Sequence, residues 1–228
     1  MITFYAAIGC YRVKTEDGKK SVYIQKLGKY HPISIPEFAI WSSLLWEVMT
    51  YDELKKAYTD VMRLQQSSTP DFDQMLAMLI KRRLVISGIG YTGVDALYRM
   101  LADAFVVPYR IAPPKKVWCI LRLLAKGKLP IADVFTAIRA RKLTDTEQKV
   151  LGLIEQTPLS TAELVRCFER NITDVSTAEK VIASLYAEDA STQKHIANEE
   201  VCSVSANPVL EAVSNLYLAR QVILEVPC

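Results

Sequence analysis

The chain is poor in the residues that do chemistry at a metal or a nucleophile. It has two histidines, His31 and His195, and neither has metal-ligand spacing to a cysteine. Its five cysteines, Cys10, Cys119, Cys167, Cys202 and Cys228, are scattered and form no C-x-x-C pair. They read as reduced core filler in a cytoplasmic protein rather than as a disulfide frame. No apolar run reaches membrane-spanning length; "FAIWSSLLW" is too short and meets Glu47 at once. The start, "MITFYAAIGC", is followed by Arg12 and Lys14 rather than preceded by a basic region, so it is a poor signal peptide. Eight glycines and ten prolines leave little for linkers, and "QQSSTP" is the one short polar run. "SGIGYTG" lacks the lysine of a phosphate loop and the strand context of a dinucleotide fingerprint, so it reads as a turn. These absences lead us to expect no catalytic residue, no metal, no cofactor and no membrane contact.

What remains is a globular composition. The 228 residues are half apolar and 23% charged, enough for two small domains. The net charge of +3 hides an asymmetry. Residues 1–110 carry +3, residues 111–142 carry eight cations against Asp133 alone, and residues 143–228 carry −7. A basic middle and an acidic last third point to separate surfaces with different partners.

The strongest pattern is a series of helix starts. Ser or Thr followed three residues later by Glu can close a capping box. Such boxes stand at Ser34–Glu37, Thr50–Glu53, Thr144–Glu147, Ser160–Glu163 and Ser176–Glu179, with a variant at Asp71–Gln74. The first two of each set are 16 residues apart, and the two sets are offset by 110. The third pair, Asp71 and Ser176, is offset by 105 because "QQSSTP" lengthens the first copy. At these offsets the apolar faces align: Ile40, Trp41 and Leu44 with Val150, Leu151 and Ile154, and Leu54 and Tyr58 with Leu164 and Phe168. Trp41 and Leu151 are expected to be equivalent core positions. In the third helices Leu76, Ala77 and Ile80 align with Val181, Ile182 and Leu185. Two matched triplets of caps indicate an internal duplication.

Each copy then continues into an extended segment, "RLVIS" or "KHIANEEVCSVSA", and a closing helix capped by Thr92 or Asn207. Pro208 suits the first position of the latter. The N-terminal stretch has apolar strands around Asp17-Gly18, a hairpin turn signal. After Pro113-Pro114, two amphipathic helices are expected, one carrying Val117, Ile120, Leu121 and Leu124, the other Ile131, Val134, Phe135 and Ile138.

Three helices, a β wing and a closing helix, twice over, resemble the winged helix-turn-helix superfamily of bacterial DNA-binding proteins in tandem. The resemblance covers residues 34–110 and 143–227. It implies a mainly α fold with small β (α+β): duplicated winged helix-turn-helix domains with an N-terminal β-hairpin and a central helical connection. The expected divisions are 1–110, the hairpin plus a winged-helix domain; 111–142, a basic helical connector; and 143–228, an acidic winged-helix domain. The first copy, with its hairpin before three helices, also looks like the small winged helices that accompany enzymes modifying ribosomal peptides. Those bind a leader peptide by strand addition at the hairpin edge.

Two functional expectations follow. The first is a non-enzymatic, homodimeric DNA-binding transcriptional regulator. Its candidate contact residues are Lys81, Arg82 and Arg83 at the end of the third helix, Lys115 and Lys116 at a helix start, and Arg139, Arg141 and Lys142. The bland reading of Lys81, Arg82 and Arg83 is cations that complement a helix dipole, and the basic middle equally suits docking on the acidic copy. The supposed reading helix opens with Asp71 and Asp73, and Gln74 serves its cap better than a base. The acidic second copy, with Glu179, Glu188 and Asp189, suits dimerisation or a protein partner. The alternative function is a non-catalytic protein- or peptide-recognition module, with the hairpin edge around Val22 to Leu27 as its binding place.

Overall fold

The computed structural model describes residues 1–16, 19–64, 70–109, 142–186, 196 and 206–227. The fold is α+β. Three antiparallel sheets of three strands each organise it. In chain order the elements are β1 (Ile2–Ala7), β2 (Cys10–Glu16), β3 (Lys19–Lys26), β4 (Lys29–Pro32), α1 (Ile35–Ser43), β5 (Met49–Thr50), α2 (Tyr51–Leu64), α3 (Phe72–Lys81), β6 (Val85–Gly90), α4 (Gly93–Leu101) and β7 (Phe105–Pro108). There follow α5 (Asp145–Ile154), β8 (Leu159–Ser160), α6 (Thr161–Glu169), α7 (Ala178–Val181, continued by a π turn over Ile182–Tyr186), α8 (Ala206–Leu218) and β9 (Val222–Glu225).

The caps sit where the spacing puts them. Ser34, Thr144 and Ser160 each close a full capping box with the Glu three residues on. Thr50 receives the Glu53 carboxylate on both its amide and its hydroxyl at 2.8 Å. Asp71 and Thr92 cap α3 and α4. In the third helix of the second set the cap is Thr177, one residue past Ser176. The last helix begins at Ala206, ahead of the expected Asn207 cap, with Pro208 inside its first turn.

Two sheets share one layout. The order β5-β1-β6 in the first is matched by β8-β7-β9 in the second. In each, a two-residue strand before the second helix and a strand after a later helix flank a central strand. The helix-to-strand turns also match. Arg83 after α3 and Arg220 after α8 both take positive φ, 53° and 59°. The amide of each bonds three residues back, and the next amide five back (Leu84 to Leu79, Gln221 to Leu216). This is a Schellman turn with Arg in the place glycine usually takes. By strand order and turn, α8–β9 corresponds to α3–β6. The offset of 105, which matched α3 with α7, therefore does not describe the sheets. β7, expected within residues 1–110, is the central strand between β8 and β9. The second extended segment at 194–206 and the two central helices lie outside the described residues.

The end of β1 is buried on both faces, with Ala6 and Ala7 turned to opposite sides. Ala7 joins the core of Ile40, Trp41, Leu44, Leu54, Tyr58 and Leu79. Ala6 and Ile8 join the second core with Val150, Leu164, Val213 and Leu224. Leu54 and Leu164, which the cap spacing aligns, are both fully buried. Leu151 is not the equal of Trp41: it is half-buried, because α5 turns Glu147, Val150, Leu153 and Ile154 inward and leaves Leu151 on the flank.

"SGIG" is strand rather than turn, which corrects the sequence expectation. Gly88 and Gly90 lie in β6, and α4 packs flat against them. A Cβ on Gly88 would come within 2.3 Å of the Ala96 carbonyl oxygen and 2.5 Å of the Met100 nitrogen. Neither backbone atom can give way without moving the helix. Gly152, in contrast, is in the interior of α5 with nothing near its missing Cβ. We expect Gly88→Ala to cost at least about 1–3 kcal/mol by overpacking. Gly152→Ala should instead stabilise by about 0.5–1 kcal/mol, because helical glycine is entropically costly. Urea unfolding of the two variants checks this; a tolerated Gly88→Ala contradicts the helix-on-strand packing.

Candidate functional site

The cations expected to touch phosphate fall into three groups. Arg82 is spent within the molecule. Its guanidinium bonds Glu37 Oε1 at 2.9 Å and also the Pro32 carbonyl oxygen. It thereby joins the end of α3 to the capping box of α1 and the end of β4. Burial by itself would raise the Glu37 pKa, but bonds from Ser34 and Arg82 outweigh it and hold the carboxyl below its ordinary value. Arg83 is exposed, and its NH1 donates to the Pro227 carbonyl oxygen at 2.8 Å. Lys81 and Lys142 are exposed. Lys115, Lys116, Arg139 and Arg141 lie outside the described residues.

The exposed face of α3 is a poor phosphate surface. It shows Asp73, Gln74, Ala77, Met78 and Lys81. Asp73 accepts from the Tyr51 hydroxyl at 2.6 Å and faces Lys55 at 4.0 Å, so the local cation is already neutralised. In the acidic half, Glu179 is exposed, while Lys180 bonds Asp174; Glu188 and Asp189 are outside the described residues.

The hairpin region offers a different surface. β2, β3 and β4 form a sheet of their own, with β3 in the centre. Tyr23 to Gln25 therefore have ladder partners on both sides, in Arg12 to Cys10 and in Pro32 to Tyr30, and Lys26 pairs with Lys29. The expectation of an open edge from Val22 to Leu27 is corrected: β4 covers β3 from Tyr23 onward. The uncovered edge is the earlier part, Lys19 to Val22. Beside it lies a groove of about 360 Å³ lined by Ser21, Val22, Pro32, Ile33, Ile35 and Phe38, among others. Ile35 is 68% exposed although it is apolar, and Val13 and Tyr11 are exposed on the same sheet. On the opposite face Lys14 Nζ stands 3.7 Å over the Tyr30 ring, and Arg12 Nε donates to Gln25 at 2.9 Å.

A second cleft, of about 300 Å³, lies where this sheet meets β7 and β9. Cys10, Arg12, Gln25, Tyr109 and Glu225 line it. Leu27 and Gly28 take positive φ, 45° and 76°, in the two-residue β3–β4 turn. The Leu27 amide donates to Glu225 Oε2 at 3.1 Å. Glu225 is 7% exposed. Burial raises its carboxyl to about 7, against the opposing pull of the Leu27 amide and Lys26. Nothing in the sequence marks Glu225 as special; it reads as one of many acids in the last third. Only its place on β9, facing a turn 198 residues earlier, makes it notable.

The chemical side chains stay apart. Cys10 and Cys167 are buried free thiols, and burial pushes Cys167 up to about 12, where it is unreactive. His31 is on β4 and His195 is outside the described residues. Among the described residues no group of three His, Cys, Asp or Glu could hold a metal. No helix among them is long and apolar enough to cross a membrane. No family model, curated protein or solved structure matches the chain.

Glu225 has a consequence for stability. Its folded pKa of about 7 lies above the unfolded carboxyl value of 4.5. The folded state thus holds a proton that the unfolded state releases between those values. Its contribution is full below the unfolded value and is lost as pH rises to about 7. We expect the urea midpoint of the wild type, relative to Glu225→Gln, to fall between pH 5 and pH 7 and then level off. A difference between the two that does not vary with pH contradicts the burial assigned to this carboxyl.

Proposed function

We propose that the chain is a non-catalytic recognition protein with two winged-helix halves, and that its hairpin sheet receives an extended protein or peptide segment. One observation carries this reading: among the described residues no strand lies beside the β3 edge at Lys19 to Val22, and an apolar groove with exposed Ile35 runs along it. An added strand would satisfy the open backbone groups, and alternate side chains would enter the groove. Duplex DNA is supported less well. Of the candidate cations at the end of α3, Arg82 is tied to Glu37 and Arg83 to Pro227, and the helix before them opens with exposed Asp71 and Asp73. The acidic half would repel phosphate as well.

The test uses the full chain against a displayed random-peptide library and against mixed-sequence duplex DNA. Peptides enriched on the wild type should bind Ile35→Glu at least about tenfold more weakly, the loss of one apolar contact of about 1.4 kcal/mol. Ile35 is at the first position of α1, where an acid is tolerated, so the fold should persist. Duplex binding that falls with salt along a log–log slope steeper than about −3, with no peptide enriched, would favour the regulator instead.

A further inference from the structure

The two matching sheets differ at one edge. By the antiparallel ladder, alternate residues of an outer strand turn their amide and carbonyl away from the central strand. On β9 these residues are Val222 and Leu224, and both are covered. Trp46 Nε1 donates to the Val222 carbonyl at 3.3 Å, and the Gly9 amide donates to the Leu224 carbonyl at 2.8 Å. On β6 the Leu84 carbonyl bonds the Ile8 amide, so Val85, Ser87 and Ile89 turn outward. No described residue covers them as Trp46 and Gly9 cover β9. Ser87 is exposed, and Ile89 is 52% exposed. A cavity of about 410 Å³ opens along Val85, Ile86 and Ser87, with Ile80, Met100 and Val226 in its apolar wall.

This edge lacks the usual protection. Exposed strand edges are normally kept short, charged or bulged. β6 is six residues long and reads "VISGIG", with no charge and no proline. Tyr91, just past its end, is 81% exposed. We propose that a second copy of this chain covers it, β6 against β6, antiparallel about a twofold axis at Ser87. This register is self-complementary. Ser87 faces Ser87 of the other copy, Val85 faces Ile89, and Arg83 faces Tyr91. No like charges meet, an apolar pair flanks the axis on each side, and a cation meets an exposed ring. Each Ile89 comes to the part of the cavity lined by Ile80 and Val85. The result is one six-stranded sheet through both molecules, an isologous contact of the kind that closes at two. It rests on the β6 edge alone and is independent of what the hairpin sheet binds.

Sedimentation of the full chain between about 1 and about 100 µM tests it. A dimer is expected for the wild type. Ile89→Lys and, separately, Ser87→Pro should each weaken it at least about tenfold. The Ser87 amide points away from β1, so proline there removes no bond within the chain. Far-UV circular dichroism should be unchanged in both, and Ile35→Glu should leave the dimer intact. In the wild type the Ser87 and Ile89 amides should gain protection from hydrogen exchange as concentration rises, a readout that needs no variant. A monomer across the whole range overturns the proposal. So does a dimer that ignores both substitutions and leaves those amides unprotected.

Discussion

The molecule depends on how Trp46 is held. Trp46 has a φ of 60°, a left-handed conformation that a bulky side chain adopts at a cost of about 1–3 kcal/mol. Groups far along the chain hold it there. Its amide donates to the Tyr217 hydroxyl at 3.1 Å, and its indole donates to Val222. The Arg220 guanidinium lies 5.3 Å from its ring and Tyr109 packs at 5.4 Å. The same hydroxyl donates to the Leu44 carbonyl at 2.9 Å. Tyr217 is nearly fully buried, and burial raises its pKa, so the hydroxyl keeps its proton and can donate and accept at once. The end of α1 is therefore shaped by α8, more than 170 residues later.

That clamp fixes which backbone edges are closed. With Trp46 in place, β9 is covered by Trp46 and Gly9, and Glu225 reaches the β3–β4 turn. The hairpin sheet is thereby tied to β9, with Arg82 as its second anchor. Among the described residues, a short stretch of β3 and the outer side of β6 are two of the strand edges that stay uncovered. The surfaces that can bind are those the internal pairing leaves over. Arg82 fastens the end of α3 to α1, and Arg83 bonds the Pro227 carbonyl oxygen.

Much of the local structure could be read in the sequence, because caps act at short range. Ser34, Asp71, Thr92, Thr144 and Ser160 mark helix starts through bonds to amides two or three residues away. The matched spacing of the caps is legible for the same reason. What could not be read was long-range pairing. β1 looks like part of a hairpin but lies between β5 and β6. "SGIG" looks like a turn because glycine marks turns, yet here glycine admits the α4 backbone. The pairing of α3 with α7 followed a cap spacing that the sheets do not share. Arg82 and Arg83 form a cationic run in sequence, and no local rule reveals that a carboxylate from α1 and a carbonyl from the chain's end neutralise its use. Glu225 and Tyr217 carry no local signal, since their roles exist only when distant segments meet.

The first sheets are joined to α8 and β9 as one unit, through the amides of Gly9, Leu27 and Trp46. Native-state hydrogen exchange at the Gly9, Leu27 and Trp46 amides tests it most directly, because each bonds across the junction. All three should exchange only through global unfolding, with the same free energy as the β1–β6 ladder amides. In Tyr217→Phe the Trp46 amide should lose protection first, at a cost of about 1–3 kcal/mol for an unsatisfied buried donor. If these three amides exchange by local opening in the wild type while the β1–β6 amides stay protected, the halves separate independently and the account is wrong.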